Sequence, residues 1–179
     1  MKIYTKKGDN GLTHTLSGKV LPKSDSLICA IGEIDELNAH LSIVASFFYE
    51  PISSFILSIQ EQLFIIGSHL AADKPEIKIK LPKLDEQKII HLEKEIDAIE
   101  EKIPRMTHFV LPGKNFEVGM IHIARTVCRR AERTIVRTSK DYEIDNYIVQ
   151  YLNRLSDYLF VLSRYKNLLL GIEEIKWIS

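Results

Sequence analysis

Net charge is the first thing this 179-residue sequence lacks: 24 lysines and arginines stand against 24 aspartates and glutamates. A chain with no overall field is not drawn as a whole toward nucleic acid or an anionic membrane, so any electrostatic site must be local. Cysteine is reduced to two residues, Cys29 and Cys128, at no metal-like spacing. Both fall in helical patterns, and both are expected as small buried apolar residues of a cytosolic chain rather than as a disulfide. The opening "MKIYTKKGD" has no apolar core of a secretory signal, and the apolar runs are too short and interrupted to cross a bilayer. The expected location is therefore cytoplasmic, with no membrane contact. Internal repeats and low-complexity tracts are missing too, and the length suggests one domain spanning 1–179.

What is present is helical periodicity. From Ser24 or Ser26, the residues Leu27, Ile31, Ile34, Leu41, Val44 and Phe48 recur at spacings of three, four and seven. Pro51 suits the start of a second helix carrying Phe55, Ile59, Leu63, Ile66 and Leu70. The stretch 72–83, "ADKPEIKIKLPK", reads as an extended, mobile linker. A third helix is expected over about 84–103, stopped by Pro104, and a connector "THFVLPGKN" follows at 107–115. A fourth covers about 116–138 and a fifth about 144–170, the latter with Ile148, Leu152, Leu155, Leu159 and Leu162 as one apolar seam. The fold class is all-α: a five-helix bundle over 24–170 behind an N-terminal loop over 1–23.

Four stretches carry more polar chemistry than packing requires. In "ARTVCRRAER", Arg125, Arg129 and Arg133 lie four apart and share one side of the helix, flanked by Arg130 and Arg137. They are either a solvated basic face, with Glu132 as local counter-ion, or a clamp for polyphosphate, whose oxygens guanidinium forks match in geometry and charge. In "YLNRLSDYLF", Asn153 and Asp157 lie outside the leucine seam; they serve helix packing, or Asn153 fixes a ligand through its two-sided amide. In "GEIDELN", Glu36 points away from the apolar stripe while Asp35 and Asn38 sit on its shoulder, so an acid there could pair with an arginine or mark a subunit boundary. Finally, "TKKGDNGLTH" is rich in donors and cannot contribute to a core. Gly8 and Gly11 permit positive φ and an inward-turned nest of N–H groups, with Lys6, Lys7 and Lys23 adding charge and Thr5 and Thr13 hydroxyls. An ordinary β-turn is the alternative. The spacing is not that of a Walker A loop.

The five stretches "YTKKGDNG" (4–11), "GEIDELN" (32–38), "FVLPG" (109–113), "ARTVCRRAER" (124–133) and "NRLSDYLF" (153–160) occur in one order over nearly the whole chain. In this the sequence resembles the PduO-type ATP:cob(I)alamin adenosyltransferase family. The resemblance implies a ferritin-like, cobalamin adenosyltransferase-like five-helix bundle, assembled as a homotrimer with active sites between subunits. It implies transfer of the 5′-deoxyadenosyl group of ATP to the cobalt of cob(I)alamin, giving adenosylcobalamin and triphosphate, with Mg²⁺ accompanying the nucleotide. The implied binding set is Thr5, Lys6, Lys7, Gly8, Thr13, His14, Lys23, Arg129, Arg130, Glu132, Arg133, Asn153 and Phe160. No protein metal site is implied. Asp35 and Arg125 are implied as an intersubunit ion pair beside the corrinoid. Phe109 is implied at the lower corrin face, where it displaces the axial base. A large aromatic on a short connector would otherwise be expected as a plug in the core.

Residues Lys7, Lys114 and Val20 depart from the family pattern, and the sequence ends at "IKWIS". The competing reading is a non-catalytic trimer that carries adenosylcobalamin to a client. Expected partners are a flavin reductase and an adenosylcobalamin-dependent mutase or dehydratase. A nucleic-acid partner is not expected, because the arginine cluster is confined to one helix.

Overall fold

Short polar side chains mark where three of the helices begin. The carboxylate of Asp25 accepts the amide of Leu27, Asn115 Oδ1 accepts those of Glu117 and Val118, and Asp145 accepts that of Tyr147. Each satisfies an N–H that the first turn leaves unpaired. The computed structural model describes residues 4, 6–113 and 115–177. Its helices are α1 (Ser26–Ala45), α2 (Ile52–Ala71), α3 (Pro75–Lys78), α4 (Gln87–Glu100), α5 (Phe116–Thr138) and α6 (Asn146–Leu169). α1 thus begins at Ser26, one of the two expected starts, with Asp25 as its cap, and Pro51 stands one residue before α2.

Five of these are the expected long helices, and their apolar stripes meet in one core. α1 packs on α2 and α5, and α6 on α5 and α4. Fully buried positions include Leu37, Leu41, Ile56, Leu63, Ile66, Ile121, Ile135, Leu155 and Leu159, together with the rings of Tyr151 and Tyr158. In space the order is α2, α1, α5, α6, α4. α5 is therefore central, covered on one side by α1 and on the other by α6, and a third strip of its surface stays open.

Three expectations need correction. The segment 72–83 is not simply extended: Pro75 opens the single helical turn α3, and the His69 ring bonds the Pro82 carbonyl at 2.8 Å. Cys29 is exposed, since it falls on the outer side of α1, while Cys128 is buried as expected and its thiol bonds the Leu152 carbonyl. The N-terminal loop continues into a two-stranded antiparallel hairpin, β1 (Leu12–His14) and β2 (Val20–Pro22), with Thr13 opposite Leu21. That hairpin docks on the end of α2. Thr15 donates its hydroxyl to Asp73 Oδ1 at 2.8 Å, and the Leu16 amide donates to the Ala71 carbonyl at 2.9 Å.

Candidate functional site

The strip of α5 covered by neither α1 nor α6 carries Arg125, Arg129 and Arg133. Three of the five other arginines are matched by acids, Arg130 by Glu33 and Glu36, Arg154 by Glu93 and Asp157, and Arg164 by Glu174, whereas among the described residues no carboxylate pairs with Arg105 or Arg137. Arg129 and Arg133 are exposed, and among the described residues no carboxylate reaches either of them or Arg125. Glu132 is not their counter-ion, because its Oε1 accepts Asn153 Nδ2 at 3.2 Å across the α5–α6 contact. Arg125 is half-buried, and its Nε has no partner within the chain. Burial, and then the neighbouring Arg129 charge, pull its pKa below the ordinary arginine value. One turn before it, His122 is buried with Nδ1 unpartnered, and burial together with Arg125 lowers its pKa to about 4. This face thus holds uncompensated positive charge, which an anion with several oxygens would complete.

Arg130 stands apart from that row. Its Nε donates to Glu33 Oε2 at 3.3 Å and its Nη2 to Glu36 Oε2, while Thr134 donates to the other oxygen of Glu33 at 2.8 Å. The Glu36 bond holds the guanidinium protonated above its usual range. α1 and α5 are thus joined within the chain by a pairing other than the expected one of Asp35 with Arg125, and Glu33 is a partner that sequence reasoning missed. Its spacing of three from Glu36 was the available signal. Asp35 takes no part in it. It is exposed on the other side of α1, lining a mostly apolar groove of about 370 Å³ with Leu16, Ile28, Ile31 and Phe64. Asn38 reaches across to α2, exchanging amide bonds with Gln60.

In the N-terminal loop, positive φ falls on Lys6 (60°) and Gly11 (81°), not on Gly8. At Gly8 the space is tight instead: a Cβ there would stand 3.2 Å from Lys23 Nζ and 3.3 Å from the Leu12 carbonyl, so either neighbour would have to shift slightly. The Lys23 amide closes the loop on the Gly11 carbonyl at 2.8 Å. Lys6, Lys7, Lys23 and His14 are exposed and Thr13 is half-buried; Thr5 lies outside the described residues, as does Lys114.

Phe109 is not a core plug. It is 74 % exposed, and its one aromatic neighbour is Trp177, edge-on at 6.4 Å between centroids. The connector is held by backbone bonds to the C-terminal tail. Leu111 donates to Ile175, Trp177 donates to Phe109, and Val110 bridges Lys176. Between the end of α4 and α6, Pro104, Met106, Arg164 and the half-buried Phe160 line a cavity of about 490 Å³. Among the described residues no group of three His, Cys, Asp or Glu side chains could hold a metal ion, and no helix is long and apolar enough to cross a membrane.

A helix bundle with an open arginine strip and a basic Gly-containing loop defines the class, a helical protein with surface chemistry suited to a polyanion, and it also presents an exposed aromatic on a braced connector. The comparisons with known proteins make it particular. The family described as cobalamin adenosyltransferase matches residues 3–166. The corrinoid adenosyltransferase of Bacillus subtilis is 38 % identical over 99 % of this chain and 92 % of its own length. The human corrinoid adenosyltransferase MMAB is 36 % identical over 97 % of this chain and 72 % of its own. A variant of the PduO-type ATP:corrinoid adenosyltransferase from Lactobacillus reuteri, solved with cobalamin and ATP, superposes with a TM-score of 0.93 at 34 % identity, covering 99 % of this chain and all of that one. The chain belongs to the cobalamin adenosyltransferase family.

Proposed function

We infer that this protein transfers the 5′-deoxyadenosyl group of ATP to the cobalt of cob(I)alamin. The observation that carries the reading is the row Arg125, Arg129 and Arg133, left without carboxylates on the open strip of α5 while Arg130, Arg154 and Arg164 are all paired. The reaction forms a Co–C bond at the 5′ carbon and breaks the C–O bond to the triphosphate. The nucleophile is the reduced cobalt of the substrate itself, so the protein needs none. The two cysteines agree with this, since burial pushes the Cys128 thiol far above its usual range and Cys29 lies on the outside of α1.

The protein's tasks are to hold the leaving triphosphate, neutralise the charge it gains, and align the reactants. Arg129 and Arg133 meet the phosphates, with Lys6, Lys7, Lys23, Thr5, Thr13, His14 and the Gly8 turn closing from the loop. Arg130 joins them by exchanging Glu33 and Glu36 for phosphate oxygens. Glu132 and Asn153, already bonded to each other, present one polar pair to the nucleoside. Mg²⁺ would accompany the nucleotide, bound to its phosphate oxygens, with the basic side chains closing around it. Phe109, exposed and braced, covers the lower corrin face, with Phe160 nearby. Excluding the axial base removes electron donation to cobalt and so makes Co(II) easier to reduce.

The groove beside Asp35, together with exposed Phe64 and Leu57 of α2, fits a subunit contact. We assign it to a homotrimer of one-domain chains in which Asp35 pairs with Arg125 of a neighbour. A cytoplasmic setting, a flavin reductase upstream and an adenosylcobalamin-dependent mutase or dehydratase downstream complete the proposal. Mixing the protein with ATP, Mg²⁺ and chemically reduced cobalamin tests it. The visible spectrum should move to that of adenosylcobalamin, and a spectrum that stays at the starting corrinoid would refute the assignment.

A further inference from the structure

Phe109 poses a mechanical problem. With 74 % of its surface exposed, the ring has no core to fix it, and the connector that carries it has no helix or sheet of its own. Its position is set by the tail. α6 ends on Gly171 at φ 65°, a left-handed cap that turns the chain back, and the Ile172 amide returns to the Asn167 carbonyl at 2.9 Å. The tail then runs antiparallel to the connector through Leu111–Ile175 (2.9 Å) and Trp177–Phe109 (2.8 Å). Two backbone bonds and an edge-on ring contact between exposed strands do not by themselves hold such a segment against water.

One buried cation ties the tail, and the segment that leads into the connector, to the bundle. Arg164 of α6 is only 6 % exposed. Its Nε donates to Glu174 Oε1 at 2.7 Å, and its Nη2 donates to Glu174 Oε2 at 3.2 Å and to the Pro104 carbonyl at 2.8 Å. The guanidinium fork therefore grips the tail by its carboxylate and, at Pro104, the segment that leads from α4 into the connector. A charge pair withdrawn from water in this way is costly to break from one side, because the remaining charge is left uncompensated. Nothing in the phosphate-binding chemistry uses it.

We propose that Arg164 is a positioning residue for Phe109: it anchors the tail through Glu174 and the approach to the connector through Pro104, and so fixes where the tail-paired aromatic ring stands under the corrin. The inference rests on the reading of Phe109 given above. Trp177 is the chain's single tryptophan, so its fluorescence anisotropy reports the tail directly.

The test uses the full-length protein with Glu174→Gln, which keeps the shape and removes the charge, Glu174→Asp as the conservative rescue, and Arg164→Met as the second arm should either Glu174 variant behave ambiguously. Phe109→Ala serves as the reference. In Glu174→Gln and Arg164→Met the Trp177 anisotropy should fall. The ratio of the rate started from Co(II) plus reductant to the rate started from Co(I) should fall at least fivefold, with KM for ATP within twofold of the parent. Glu174→Asp should recover part of both. If Phe109→Ala lowers the ratio while the clamp variants keep it, Arg164 does not position Phe109, whatever the tail does. A lowered ratio with unchanged anisotropy would also overturn the proposal, since the effect would not pass through the tail. If Phe109→Ala itself leaves the ratio unchanged, the reading of Phe109 fails and the proposal falls with it, a result distinct from the first two.

Discussion

Replacing Phe109 by alanine should separate reduction from adenosyl transfer at little cost to the fold. Full burial of a phenylalanine is worth about 1.5–3 kcal/mol, and with 74 % of the residue exposed only about a quarter of that is at stake, roughly 0.4–0.8 kcal/mol. The Trp177 contact adds something below the ~0.5–1.5 kcal/mol typical of an aromatic pair, because both rings are exposed. A total near 1 kcal/mol lowers Tm by about 2–4 °C in a chain of this length. A core plug would instead lose about 3–5 kcal/mol. The catalytic effect should fall on the reaction started from Co(II), where a lower ligand must be excluded. Starting from Co(I), which holds a lower ligand weakly, should restore much of the rate. The assay is the pair of initial rates at saturating ATP with a melting curve beside them. A Tm drop of ten degrees with equal losses in both rates would place the ring in the core and refute the reasoning.

Other perturbations follow from the same geometry. Asp35→Asn should reduce activity more than stability, and in a double-mutant cycle with Arg125→Ala the two should couple by about 0.5–3 kcal/mol in activity; strict additivity would dissolve the pair. His122 has its folded pKa depressed from 6.5 to about 4, so the unfolded chain binds the extra proton first. Stability owed to the neutral ring is present above pH 6.5 and lost as pH falls toward 4, by up to about 3 kcal/mol. His122→Phe should flatten that part of the denaturation-versus-pH curve, and an unchanged slope would reject the assignment. Cys29 should react with a thiol reagent in the native protein while Cys128 reacts only after unfolding, so two fast-reacting native thiols would contradict the burial seen here.

The long helices were legible because their apolar spacing and caps are local signals. α5 was expected at about 116–138 and runs from Phe116 to Thr138, capped by Asn115. What escaped were features that depend on where distant segments meet. The β1–β2 hairpin pairs only three residues a side, too few for an alternation pattern, and is held by Asp73 from beyond α2. Cys29 was expected inside because small apolar residues usually are, yet its position on α1 faces outward. The arginine row was visible, but its spacing could not show that Arg130 is claimed by Glu33 and Glu36 while Arg129 and Arg133 are left unmatched. The Arg164–Glu174 clamp gave the least warning. Ten residues and a reversal at Gly171 separate the partners, and no periodicity links them.

The most direct measurement counts products over many turnovers. With reduced cobalamin and MgATP both in large excess over protein, the account predicts one triphosphate for each adenosylcobalamin, continuing well past one per chain. In the same assay Arg129→Ala should slow turnover by about 10- to 100-fold, the value of one charged hydrogen bond of about 1.5–3 kcal/mol. Product formation that stops at or below one per chain, with Arg129→Ala indistinguishable from the parent, would contradict it and leave a carrier that binds but does not turn over.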